Sequence, residues 1–175
     1  QLLEKSIAQP NKDLILSHLM LVEKVLRSRT VTHLSENQKL NRQKYLDILR
    51  QYWMIGIIPT NDYLSTRVPV FIDRKGVHCA VGYLLQQGGF ENIFAGLARY
   101  PHIDIGDLPM ADCELLLLSS EPYPFKQKHI NELSKQLPGI KIILADGEFF
   151  SWYGSRMLQS PAYFTRLIAQ IQGIN

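Results

Sequence analysis

The neighbours His78 and Cys79 are the first residues in the chain whose types could carry out catalysis together. The pattern around them predicts a change from strand to helix, where backbone N–H groups could lower the pKa of a thiol. Asp73 could orient an imidazole across the preceding turn. Successive side chains of a strand point to opposite faces, so His78 cannot easily act as the base for Cys79. The alternatives are a thiol enzyme with a distant histidine, His18 or His33, and a buried structural cysteine.

Carboxylates form the second candidate set. Glu121, Asp146 and Glu148 lie in two long loops, but no spacing fixes two of them at the separation that glycosidases use. His129 falls inside a predicted helix, where a structural role is expected. The sequence contains no P-loop, GxGxxG or GxSxG motif, and its two cysteines lack the spacing of a metal site. We therefore predict neither a catalytic set nor a resident metal, and a protein that is not an enzyme.

The same two loops are unusually aromatic. They are SSEPYPF, residues 119–125, and DGEFFSWYGSR, residues 146–156. Loops are normally polar, because an aromatic ring exposed in a loop must be shielded from water by other groups. A concave aromatic surface with few charges suits a large, flat ligand such as a macrocycle or chelate. The alternative is that these rings seal a small core or form an interdomain contact. The rings are Tyr123, Phe125, Phe149, Phe150, Trp152 and Tyr153.

Alternating strands and helices are predicted to position these loops. CELLLLSS (113–120) and IKIILADG (140–147) are apolar runs typical of parallel strands buried on both faces. Helices are predicted over 126–137 and from a Ser160 cap to about Gly173. This order predicts a βαβα parallel-sheet lobe that binds ligands at the carboxyl ends of its strands. Since two strands make a small sheet, VPVFID (68–73) or another chain is expected to add a strand.

The first half is predicted to be mostly helical. Helices are expected over 11–29 and from a capping box at Ser35 and Gln38 to Gly56. They are followed by a short β-hairpin around the turn 73–76 and by a helix from Ala80 to Gly88. The fold class is therefore α/β in two parts: a helical domain with a hairpin over 1–88, of unknown function, and an α/β lobe over 89–175.

Composition limits the possible functions. The 175 residues are 46% hydrophobic and carry a net charge of +3, with 12 Lys+Arg against 7 Asp+Glu over 1–88 and 7 against 9 over 89–175. The basic half is too weakly and too evenly charged for a nucleic-acid surface. This charge pattern excludes nucleic-acid binding. No apolar run approaches the length of a membrane span, so a membrane-spanning chain is excluded as well.

Three blocks of the second half resemble a known family. LLQQGGFENIFAGLARYPHIDIGDL, CELLLLSSEPYPFKQKHINEL and KIILADGEFFSWYGSR follow one another in the order found in the C-terminal lobe of a helical backbone metal receptor. The resemblance covers about residues 83–172. These receptors are periplasmic substrate-binding proteins that deliver cobalamin, haem or iron chelates to ABC importers.

The resemblance implies that the two aromatic loops line one wall of a ligand cleft. In this interpretation the chain is a substrate-binding protein or a truncated or composite remnant of one, periplasmic if the resemblance holds. The rings would stack on the ligand, Glu121 would meet a polar edge, and Arg156 a carboxylate or phosphate. The predicted ligand-binding residues are Glu121, Tyr123, Phe125, Trp152, Tyr153 and Arg156.

Two departures from the family bear on its partners. Residues 1–82 do not resemble the first lobe, and 175 residues are fewer than two lobes need, so half of the cleft is expected to be missing. Gly106 stands where the family carries a Glu that engages the membrane permease, with Asp107 beside it, which puts docking to an ABC permease in doubt. Residues 14–88 resemble an uncharacterised bacterial domain, which implies no activity. A further alternative is an interaction module whose aromatic loops form a homo-oligomer interface.

Overall fold

The computed structural model describes residues 12–61, 70–97, 101–121, 123–151 and 158–173. These residues form a mixed α/β protein with several helices and a two-stranded parallel sheet. They divide into two compact units. The first runs to Glu91 and includes Leu158, and the second starts at Asn92 and continues from Gln159 onward. The functional division predicted at residues 88–89 stays a prediction.

Two long helices form the core of the first unit. They are α1 (Lys12–Ser28) and α2 (Glu36–Ile55). Leu19, which is fully buried, packs with Ile15 of α1 and with Leu49 and Tyr52 of α2. A second cluster joins Val22 and Leu26 to Leu46, with Leu158 packed against it. Burial of these apolar side chains stabilises the packing of the two helices against each other.

Both ends of α2 agree with the sequence. The Ser35 hydroxyl accepts a hydrogen bond from the backbone N–H of Gln38, and the Gln38 side chain accepts one from the N–H of Ser35. This pair is the predicted capping box. Gly56 ends the helix with φ of 67°, a left-handed conformation that glycine adopts without a steric cost. Both predicted boundaries are confirmed.

A polar network also joins α1 to α2. The buried Glu23 carboxylate pairs with Arg27 and accepts a hydrogen bond from the indole N–H of Trp53 at 3.3 Å. Arg27 also pairs with Asp47 of α2 at 2.6 Å. The hydrogen bond to Glu23 is the main reason that the pKa of Arg27 is raised. A buried carboxylate is tolerated here because it has partners.

The predicted hairpin is smaller than expected. In the described part of VPVFID, residues 70–73, the only strand-like pairing is a single antiparallel bridge between Ile72 and His78. The turn between them is present, and α3 (Ala80–Gln87) follows where a helix was predicted. The third strand expected for the parallel sheet is absent from the described residues, since Ile72 pairs only with its own turn. Val68 and Pro69 lie outside the described residues.

The second unit contains the sheet. It begins with a helical turn, α4 (Asp107–Met110), followed by β1 (Leu115–Ser119), α5 (Gln127–Gln136) and β2 (Lys141–Ala145). The strands pair in parallel, with Leu115 opposite Lys141 and Ser119 opposite Ala145. A short helix, α6 (Glu148–Ser151), and α7 (Ser160–Gln172) complete it. Ser160 is the first residue of α7 rather than its cap, one position from the prediction.

Candidate ligand-binding groove

The two aromatic loops start from the same edge of the sheet. Because β1 and β2 are parallel and in register, their carboxyl ends lie side by side. The Ser120 backbone N–H donates to the carbonyl of Ala145 at 2.9 Å, and the Gly147 N–H donates to the Ser120 hydroxyl at 3.0 Å. The first residues of the two loops are therefore hydrogen-bonded to each other. In parallel sheets this edge is where ligands commonly bind.

Gly147 is the point of closest approach between the loops. A Cβ atom there would overlap the Ser119 hydroxyl and lie 3.1 Å from the backbone nitrogen of Glu121. We expect Gly147→Ala to lower the free energy of unfolding by about 1–3 kcal/mol, because overpacking costs that much. Gly106→Ala is the control, since nothing lies within 4 Å of a Cβ at Gly106, and it should change stability by less than about 0.5 kcal/mol. Urea denaturation followed by circular dichroism measures both, and equal effects would contradict the close approach.

Part of the aromatic set covers the core instead of facing a ligand. The loop that was expected to be irregular after β2 begins with α6, because the Asp146 carboxylate accepts the N–H of Glu148 at 3.1 Å and caps its first turn. Phe149 is buried and stacks on Tyr163 of α7 with ring centroids 4.2 Å apart. Phe150 meets Phe164 edge to face at 5.3 Å. Phe149 therefore covers part of the core, as the alternative interpretation predicted, while Phe150 is half-buried.

Three other rings form a cluster that remains partly open. The backbone N–H of Phe125 donates to the Tyr123 carbonyl at 2.9 Å, a tight turn that sets the two rings side by side. Their centroids are 4.8 Å apart, and each ring also contacts His129 of α5, at 5.6 Å from Tyr123 and 5.5 Å from Phe125. Tyr123 is 55% exposed, so this cluster presents aromatic surface to solvent.

An open groove of about 390 Å³ lies beside this cluster. Four of its lining residues have polar side chains: Tyr123, His129, Glu132 and Gln136. His129, Glu132, Leu133 and Gln136 project from one face of α5 at spacings of three and four residues. The lining residues are Ile105, Tyr123, Phe125, His129, Glu132, Leu133 and Gln136.

The predicted ligand-binding residues are only partly brought together. Tyr123 and Phe125 line the groove, whereas Glu121 does not. Glu121 is exposed at the end of β1, where its backbone N–H donates to the Ser119 hydroxyl at 3.2 Å. Trp152, Tyr153 and Arg156 lie outside the described residues. The suggestion that the aromatic loops form a homo-oligomer interface stays a prediction.

His129 is the lining residue that sequence reasoning undervalued. It was assigned only a structural role inside a helix, but it is half-buried beside two rings. A structural role is present as well, because its Nδ1 accepts the Lys126 backbone N–H at 2.8 Å and so caps α5. The spacing of Phe125, His129 and Leu133, four residues apart each time, is the signal that could have found it.

The thiol candidate lies in a different environment, in the first unit. Cys79 precedes α3, and its Sγ accepts the backbone N–H of Gly82 at 3.4 Å, the contact that was expected to lower the thiol pKa. Burial has the larger effect and raises the pKa of Cys79 instead. The Asp73 carboxylate accepts hydrogen bonds from the backbone of its own turn and from Thr60. These hydrogen bonds give Asp73 a structural role. The burial of Cys79 gives it the character of a core residue.

The described residues contain no cluster of three or more His, Cys, Asp or Glu side chains that could hold a metal ion. None of the helices in the same part of the chain is both long enough and apolar enough to cross a membrane. Comparison of the chain with protein-family models, with curated proteins and with solved structures found no match.

Proposed function

We propose that the second unit is a binding module for a flat metal chelate of the haem or cobalamin class, held in the groove beside Tyr123. The observation that carries this proposal is the ring cluster of Tyr123, Phe125 and His129 on the groove wall. Aromatic rings attract other flat ring systems by stacking and edge contacts. An open groove lined by rings offers such contacts along one edge of a macrocycle.

The polarity of the groove also supports an organic ligand, and its open shape would cover one edge of a macrocycle rather than enclose it. Ligand sites commonly occupy about 300–1,000 Å³ and combine an apolar lining with a few polar groups. At about 390 Å³ the groove lies in the lower part of that range, and Tyr123, His129, Glu132 and Gln136 supply the polar groups. A macrocycle with polar side groups around an apolar ring matches this mixture better than a compact polar metabolite.

The resemblance to helical backbone metal receptors adds the biological context. In that context the order β1, α5, β2, α6 and α7 would be a single βαβα lobe, and the chain would act in periplasmic chelate import. We do not extend the proposal to docking on an ABC permease. Gly106 supplies no carboxylate, and the Asp107 carboxylate accepts the backbone N–H of Asp104 at 3.2 Å.

Calorimetric titration with haemin and with cyanocobalamin tests the proposal. We expect at least one of them to bind the wild-type chain, and Tyr123→Ala to weaken that binding about tenfold, which corresponds to about 1.4 kcal/mol of lost ring contact. The control is Met110→Ala, because Met110 is 84% exposed in the same unit and does not line the groove.

Either of two results would contradict the proposal. One is the absence of heat with both ligands at high micromolar concentration while circular dichroism shows a folded protein. The other is binding that Tyr123→Ala and Met110→Ala weaken equally, because the ligand would then attach to apolar surface in general and not to the groove.

A further inference from the structure

The hydrogen bond at the start of α5 fixes which nitrogen of His129 carries the proton. Nδ1 accepts the backbone N–H of Lys126 at 2.8 Å, so it must offer a lone pair and carries no hydrogen. A neutral imidazole has one N–H and one acceptor nitrogen. The proton of neutral His129 is therefore on Nε2, which makes Nε2 a donor.

This donor lies beside a second one in the groove. His129 Nε2 is 3.5 Å from the Tyr123 hydroxyl oxygen, a separation at the outer limit of a hydrogen bond. Both residues line the groove. A ligand oxygen placed between them would accept from the Nε2–H and from the Tyr123 O–H, and would make shorter bonds than the two groups make with each other.

The same arrangement disfavours metal coordination by His129. A metal ion binds an imidazole nitrogen through its lone pair, so coordination at Nε2 would move the proton to Nδ1. An Nδ1–H would then point at the Lys126 N–H, and the hydrogen bond that caps α5 would be lost. Coordination of iron or cobalt by this residue would thus act against the helix start that holds it in place.

We infer that the groove recognises an acceptor oxygen of the ligand, a carboxylate or an amide carbonyl, through the Nε2–H of His129 and the hydroxyl of Tyr123, and does not use the metal. This inference rests on the proposed function and specifies its chemistry. Its consequence is that the organic ring and its side groups determine affinity. A metal-free porphyrin with carboxylate side chains binds as tightly as its iron complex.

The test compares haemin with metal-free protoporphyrin IX on the full chain. We expect the two dissociation constants to agree within about threefold, and the absorption spectrum of bound haemin to lack the change that imidazole coordination produces. Two variants of His129 separate donation from capping. His129→Gln keeps an acceptor for the Lys126 N–H and adds an amide donor, whereas His129→Glu keeps the acceptor alone.

We expect His129→Glu to weaken the binding of both ligands by about tenfold or more, and His129→Gln to restore most of the loss. Haemin binding more than about tenfold tighter than protoporphyrin IX, or loss of haemin alone in both variants, would overturn the inference and leave the proposed function standing. If neither ligand binds the wild type, the proposed function fails for this ligand class and the inference fails with it.

Discussion

Replacing Asp73 by alanine is expected to lower the free energy of unfolding by about 1–3 kcal/mol, the cost of leaving buried hydrogen-bond donors without their acceptor. One oxygen of the carboxylate accepts the backbone N–H groups of Lys75 and Val77 at 2.9 and 3.0 Å. The other accepts the N–H of Thr60 at 3.1 Å and its hydroxyl at 3.4 Å. Alanine would leave these donors without their acceptor in a turn where Asp73 itself is buried. Urea denaturation followed by circular dichroism at neutral pH measures the loss.

Lys75→Ala is the matched control for Asp73→Ala. Lys75 is exposed in the same turn and contributes its backbone N–H to the carboxylate, which alanine retains. Its substitution should change stability by less than about 0.5 kcal/mol. A loss below about 1 kcal/mol for Asp73→Ala would mean that the turn does not depend on this carboxylate.

The stabilisation by Asp73 should also depend on pH. Burial acts to raise the pKa of Asp73, but the hydrogen bonds from Val77, Thr60 and Lys75 together outweigh it, and the pKa lies below its ordinary value of 3.8. A group whose pKa is lowered by folding stabilises the protein above its unfolded pKa. The difference in stability between the wild type and Asp73→Ala should therefore be constant above about pH 5 and shrink as the pH falls below 3.8.

Cys79 is expected to react with a thiol reagent at least about 100-fold more slowly in the native protein than in concentrated guanidinium chloride. Its side chain is buried, so the reagent can reach it only after an opening reaction, and each 1.4 kcal/mol of opening free energy slows the reaction about tenfold. The raised pKa adds to this protection, because only the thiolate is nucleophilic. The measurement uses a Cys113→Ser chain, so that Cys79 is the only thiol left.

The same measurement discriminates the enzymatic alternative. A nucleophilic cysteine needs a lowered pKa and an accessible sulfur. Reaction of native Cys79 at pH 6 as fast as a model thiol would contradict the burial described above and would favour a thiol enzyme. Slow reaction that becomes fast on denaturation would leave Cys79 as a core residue that caps α3.

Features set by local interactions could be predicted from the sequence. The start of α2 depends on Ser35 and Gln38, three residues apart, and its end depends on the conformational freedom of Gly56. The two parallel strands follow from apolar runs bounded by polar residues. The burial on both faces that this pattern also predicted is not observed, since only Leu118 and Ala145 of the two strands are buried. Such signals need no knowledge of the tertiary structure.

Features set by distant contacts could not be predicted in the same way. VPVFID has the composition of a strand, but strand formation depends on the partner, and within the described part of the chain Ile72 forms a single bridge, to His78. Nor could the sequence decide which aromatic residues of the loops would be buried. Phe149 is covered because Tyr163 of a later helix stacks on it, whereas Tyr123 has no comparable cover and remains 55% exposed.

The proposed function requires that the groove beside Tyr123 holds a flat macrocycle. Its most direct test is the methyl NMR spectrum of the chain titrated with metal-free protoporphyrin IX, because the ring current of a bound porphyrin shifts the methyl resonances that it touches. We predict the largest shifts at Ile105 and Leu133, which line the groove, and none at Ile15 and Leu19 in the core of the first unit. Saturable binding that leaves Ile105 and Leu133 unshifted would contradict the claim.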